Sequence, residues 1–266
     1  MKIAEHLDAL RREGELMAAA ADRAGLAAAV PSCPAWQVKD LLRHTGYIHR
    51  WAARHITEGP AEVIDGPSEA EILRGGAADA NLLGWFRAGH AALVEALASA
   101  DPEVQCATFM PAPSPLAFWT RRQAHETAIH RADAELAAGP AEGTVPEYPP
   151  RFAADGIDEL IMGFGQRRKY QPQSGPASRA GLLRMIAADT GHDWSVEARE
   201  GLLQPRRETG AAAVGGAGGG CTVSGPASGL YLYLWNRADA AKADVTVTGD
   251  SGLLASWQAS VKVRWG

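Results

Sequence analysis

Two short segments hold most of the side chains that could do chemistry: DLLRHTGYIHRW (40–51) and FWTRRQAHETAIHRADAE (118–135). Both carry His with Arg, Asp or Glu among apolar residues, at helical spacing. In a helix each residue advances about 100° around the axis. Glu126 and His130 are four apart, so they share a face one turn up. A carboxylate and an imidazole so spaced can ligate one metal ion. His125 and His130 are five apart and diverge by about 140°, as do His44 and His49. His44 shares its face with Leu41, Ile48 and Trp51, so it points with the apolar stripe into a core. His55 shares that face but lies about 16 Å further along. The candidate constellation is therefore His44, Glu126 and His130. Two imidazoles and a carboxylate with a position to spare suit Zn²⁺ or another divalent ion. The same spacing also describes a core histidine bonded to Glu126 beside an ordinary i, i+4 pair, and periodicity alone does not choose.

Other residues of these segments have two readings each. His125 points about 100° away from Glu126. It is a candidate catalytic or substrate contact, or a partly exposed helix histidine. Arg121, Arg122 and Arg131 flank the set. An inward Arg can clamp a carboxylate bidentately, with Arg122 the catalytic candidate and Arg121 the candidate contact to a bound cofactor. The other reading is surface ion pairs with Asp133 and Glu135. Trp36, Trp51 and Trp119 suit core anchors, and Trp119 is also carried as a cofactor contact. His49 and Arg50 are expected at the surface, and His192 in a turn. Cys33 precedes a helix start, which lowers a thiol pKa. No base accompanies it, so it reads as a packing residue.

Helices must position these groups. Apolar spacing predicts helices over Ile3–Ala28, Trp36–Thr57 and Asp79–Ser99, a short helical piece near Ser68–Leu73, and a fourth long helix from Ser114–Pro115 to just before Gly139. Pro34 and Pro115 suit helix entries, where N–H groups are spare. Four such helices form a bundle, which builds sites from facing side chains. The Pro/Gly-rich stretch GPAEGTVPEYPP (139–150) breaks the pattern. It separates a four-helix domain, residues 1–140, from an α+β domain, residues 147–266. The second domain is predicted to hold a helix over Phe152–Phe164, strands at Leu182–Asp189 and Trp194–Ala198, a helix at Leu230–Trp235 and a β-branched run at Val245–Val247. Residues 209–220 contain six Gly and read as a mobile loop. They lack the GxxxxGK[ST] pattern of a phosphate cradle.

Composition narrows the function. The chain has 266 residues, 46% hydrophobic and 21% charged, as in a globular protein. Residues 1–140 carry 13 basic and 18 acidic side chains and residues 141–266 carry 13 of each, which leaves the net charge of −5. That balance argues against a nucleic-acid or anionic-membrane partner. Three scattered cysteines (Cys33, Cys106 and Cys221) exclude a disulfide framework and a cysteine-based zinc site. No apolar run nears a membrane span and the N-terminus has no signal core, so the expected location is the cytoplasm.

PSCPAWQVKDLLRHTGYIHRWA, followed by RRQAHETAIHRADAE, resembles the mycothiol-dependent maleylpyruvate isomerase family of the DinB-like superfamily. AADTGHDWSV, GPASGLYLYLWNR and VTVTGDSGLLASWQ look like its C-terminal domain, which is related to sterol carrier proteins. The resemblance implies a bundle holding one divalent metal, usually zinc, through His44, Glu126 and His130. It implies that mycothiol, a low-molecular-weight thiol, binds as the thiolate and adds to an activated cis double bond. Rotation and elimination then give the trans product. The expected partners are that thiol and a small electrophile, in a monomer or weak homodimer. Two other readings accompany it: thiol transfer or conjugation in detoxification or secondary metabolism, and a non-catalytic lipid- or small-molecule-binding module.

Overall fold

Gly25 ends the first helix. Its φ of 79° lies where only glycine avoids a side-chain penalty. Thus α1 runs Ile3–Ala24, four residues short of the predicted Ala28. α2 (Val38–Glu58) stops at Gly59 in the left-handed conformation. α3 is the short helix Glu69–Arg74. A 3₁₀ turn, Asp79–Asn81, then precedes α4 (Leu82–Ser99), so the α-helix predicted from Asp79 starts three residues later. α5 (Pro115–Ala138) opens as predicted with Pro at its first turn. Ser114 caps it, its Oγ accepting from the Ala117 N–H at 3.1 Å.

The computed structural model describes residues 1–139, 146–165, 181–199, 202–208 and 220–261. They fall into two compact units, Met1–Pro146 and Glu147–Arg264. In the first, α1 packs along α5 and α2 along α4, and α2 also meets α5. Met17, Leu41, Leu42, Leu82 and Phe86 fill part of the core between them.

The α2–α4 seam overturns the surface placement of His49 and Arg50. His49 is fully buried, with its ring 5.5 Å from Phe86 and 5.4 Å from His90. Its Nε2–H donates to Thr127 Oγ1 at 2.9 Å, because the Thr127 hydroxyl already donates to the Gln123 carbonyl. Arg50 is half-buried 3.8 Å over the Trp85 ring and donates to the Gly46 and Trp85 carbonyls. Two glycines make room. A Cβ at Gly46 would sit 2.3 Å from the Trp85 ring, and one at Gly89 2.1 Å from Arg50 Nη1.

The second unit starts with α6 (Pro150–Asp158), whose winding widens into a π-helix over Glu159–Phe164. The helix predicted over 152–164 is thus one continuous segment that changes from α to π winding at Glu159. Five strands follow: β1 (Gly181–Ala187), β2 (His192–Arg199), β3 (Leu202–Arg207), β4 (Cys221–Gly225) and β5 (Thr246–Gly249). They form a mixed sheet in the order β3-β2-β1-β4-β5, with only β1 and β4 parallel. Leu183, Met185 and Ala187 alternate inward and are buried with Trp194, Val196 and Ala198. α7 (Ala227–Leu234) and α8 (Ser251–Ser260) complete the unit. It is an α+β arrangement beside an all-α one.

Three elements of this unit, β3, β4 and α8, were not predicted. Pro205 obscures β3, and an edge strand tolerates it because it loses no ladder hydrogen bond. His192, predicted in a turn, opens β2 opposite Ala187. Residues 209–219 of the Gly-rich run and 140–145 of the Pro/Gly stretch lie outside the described residues. Among the described residues no helix is long and apolar enough to cross a membrane.

Candidate metal centre

Helix pitch aligns Glu126 and His130 on α5, and the α2–α5 packing brings His44 across to them. The three donor atoms lie within 4.8 Å of one another. His44 Nε2 is 3.4 Å and His130 Nε2 3.2 Å from Glu126 Oε1. Ligands held about 2.0–2.1 Å from a tetrahedral ion are about 3.3 Å apart. These separations therefore fit three donors facing one ion, and are long for charge-assisted hydrogen bonds. All three residues are buried, at 0%, 3% and 6% exposure for His44, Glu126 and His130.

The surrounding contacts aim the donors. His130 Nδ1–H donates to Asp133 Oδ2 at 2.8 Å, which turns Nε2 toward Glu126 and His44. The other Asp133 oxygen accepts from the Ser32 hydroxyl, and Asp133 is itself fully buried. A carboxylate behind a ligating imidazole fixes its tautomer and ring orientation. Arg122 Nη2 donates to Glu126 Oε2 at 2.8 Å, so Oε1 is the oxygen presented to the imidazoles. Trp36 stands over the set, its ring 5.0 Å from His44 and 6.3 Å from His130. The loop before α2 holds it there through Val30 N–H to Trp36 O and Trp36 N–H to Cys33 O.

The electrostatics follow from burial and pairing. Burial pushes the His44 pKa down, against its hydrogen bond to the Glu126 carboxylate. Burial acts the same way on His130, but its bonds to Asp133 and Glu126 win and push it up to about 9. Burial would raise Glu126, yet hydrogen bonds from His130 and His44, with the charges of His130 and Arg122, hold it well below the usual carboxylate range. The imidazolium of His130 thus supplies the positive charge that a divalent ion would otherwise bring.

The remaining predicted residues separate. Arg122 is buried at 1% exposure and braces Glu126. Arg121 is half-buried one position earlier. His125 is fully buried rather than partly exposed, with its ring edge-on to His6 at 5.9 Å. Arg131 turns to Glu13 and Glu135. Trp119, read as a core anchor and also as a cofactor contact, is fully enclosed. It packs on Trp51, His55 and Phe118 and donates to the Ala107 carbonyl, as a core anchor does. Sequence reasoning missed Asp133 and Ser32 as supports and read Trp36 as a core anchor. Asp133 was within reach, since it follows His130 by three and so shares its face.

The family model described as the mycothiol maleylpyruvate isomerase N-terminal domain matches residues 7–135, and that for the C-terminal domain matches residues 151–256. The chain belongs to the mycothiol-dependent maleylpyruvate isomerase family. Two crystal structures described as the mycothiol-dependent maleylpyruvate isomerase, one of them a His-to-Ala mutant, are similar to it with TM-scores of 0.60 and 0.59. Each is 16% identical over 94% of this chain and 95% of the other, a likeness that shows the fold. No curated protein matches. In this member of the mycothiol-dependent maleylpyruvate isomerase family, His44, Glu126, His130 and Asp133 all fall within the N-terminal match.

Proposed function

We propose that this member of the family is a divalent-metal enzyme that activates mycothiol for addition to an electrophilic double bond, as in maleylpyruvate-type cis–trans isomerisation. The observation that carries the reading is the donor spacing: two imidazole Nε2 atoms 3.4 and 3.2 Å from one carboxylate oxygen, buried together. His44, Glu126 and His130 would hold the ion, with zinc the best fit to this donor set. A bound divalent ion supplies a Lewis acid that holds a thiol as its thiolate at neutral pH.

The protein's own residues do the rest. Asp133 keeps the His130 proton on Nδ1, so that Nε2 offers a lone pair. Arg122 holds Glu126 ionised and directs Oε1 inward. Burial keeps His44 neutral. Trp36 covers both ligand imidazoles and limits water around them. Isomerisation and thiol conjugation share this machinery and differ in the fate of the adduct.

The test begins with metal analysis of untagged protein. Wild type should carry about one equivalent of divalent metal, and His44→Ala and His130→Ala far less; equal, near-zero contents in all three end the metal reading. Maleylpyruvate isomerisation is then followed with and without mycothiol. Activity that needs both thiol and metal supports isomerisation. Thiol consumption without isomerisation moves the assignment to conjugation.

A further inference from the structure

A cavity of about 310 Å³ opens between α2 and the chain leading into α3, a size at the lower end of small-molecule sites. Tyr47, Ile48, Trp51, Pro67, Glu69 and Ile72 line it. Ile48 follows His44 by one turn on the same face of α2, so the cavity starts about 6 Å along the helix from a candidate ligand.

The lining is mainly apolar and aromatic, with Ser68 and Tyr47 its neutral polar residues and the Glu69 carboxylate its single charge. Among the described residues no Lys, Arg or His lines it. Arg54, whose charge reaches Tyr47, is held by both oxygens of Glu58. Two side chains brace one wall: Trp51 Nε1–H donates to the Ile64 carbonyl at 2.8 Å, and the Ile64 N–H donates to His55 Nε2 at 3.1 Å. A compact dianion such as maleylpyruvate would meet apolar walls and a like charge there, with no cation to receive either carboxylate.

We infer that this cavity receives the non-reacting part of the electrophile, and that this part is a neutral, apolar, ring-sized group rather than a carboxylate. The inference rests on the proposed thiol-activating role of the neighbouring triad. It shifts the substrate class from small dicarboxylates to neutral α,β-unsaturated carbonyl compounds with an apolar or aromatic body. With such a substrate, addition forms the S–C bond at the β-carbon and returns the thiol proton to the α-carbon.

The experiment has two arms on the full-length protein. In the first, without metal or thiol, N-phenyl-1-naphthylamine and its 8-sulfonate are titrated by fluorescence. The neutral probe should bind saturably and at least tenfold more tightly than the sulfonate. Ile72→Arg should weaken the neutral probe at least tenfold with an unchanged far-UV spectrum, and Glu69→Gln should narrow the gap between the probes. In the second arm, zinc-loaded protein with mycothiol is given a neutral aryl enone or maleylpyruvate, and turnover of each electrophile is followed directly, as thiol adduct plus trans isomer. The enone should give the higher kcat/KM, and Ile72→Arg should lower that value at least tenfold. Equal binding of the two probes, neutral-probe binding indifferent to Ile72→Arg, or a preference for maleylpyruvate overturns the inference. Probe binding as expected with no electrophile either isomerised or conjugated overturns the catalytic reading and this use of the cavity together.

Discussion

Asp133 is the residue on which the candidate centre turns. It is fully buried, accepts from Ser32 and holds His130 Nδ1–H at 2.8 Å. Replacing it with Asn keeps an acceptor but removes the charge that orients and enriches the imidazole. Asp133→Asn is therefore expected to lower zinc affinity about 10–100-fold, read by competition with a chromophoric chelator, with the circular dichroism unchanged. Metal-free His130 titrates at about 9, so near pH 7.5 an incoming ion must displace its proton. Zinc binding should then release close to one proton, measured calorimetrically in buffers of different ionisation enthalpy. His130→Gln should abolish that release. A binding heat independent of buffer would show that the ion displaces no proton from His130.

At the scale of elements, the seam between α2 and α4 exists because Gly46 and Gly89 leave space for Trp85 and Arg50. Gly46→Val puts a branched side chain where a Cβ alone would be 2.3 Å from the Trp85 ring. Overpacking of that kind costs about 1–3 kcal/mol, so the urea midpoint should fall with little change in slope. The clamp on Ile64 is the second element-level device. His55 accepts at Nε2 and donates from Nδ1 to the Trp51 carbonyl at 2.9 Å. Burial depresses its pKa, so the neutral form is the bound one. As pH falls below about 6.5, protonation at Nε2 removes the acceptor. Exchange of the Ile64 amide, corrected for its intrinsic rate, should then accelerate while amides within α2 stay protected.

Across the whole molecule these histidines pull stability in opposite directions. His44, His49, His55 and His90 all have depressed pKa values, with burial the leading cause. Their contribution is complete above the unfolded value of about 6.5 and is lost as pH falls below it. His130 behaves oppositely. Its contribution is complete below about 6.5 and lost as pH rises through about 9. The melting temperature of metal-free protein should thus peak near neutrality and fall on both sides. His130→Gln should flatten the alkaline limb alone. A profile that rises steadily to pH 9.5 would contradict the raised His130.

The sequence by itself determined what a single helix determines. The α5 register placed Glu126 and His130 one turn apart, and the apolar stripe of α2 turned His44 inward, because helical phase depends only on spacing. Strong caps, such as Ser114 before Pro115, made helix starts legible. Tertiary structure decided which face of each helix met a neighbour. It buried His49 against Phe86 and His90, half-buried Arg50 over Trp85 with Gly89 making room, and enclosed Trp119 among aromatic rings. Strand β3 pairs with β2 just before it, but Pro205 hid it, whereas β4 gains its ladders only from β1 and β5, both distant in sequence, so the short run CTVSG carried no readable signal. The tautomer of His130 was likewise beyond the sequence reading. It depends on Asp133 being dry and pinned by Ser32, a residue 101 positions away, and only the folded chain brings those two together.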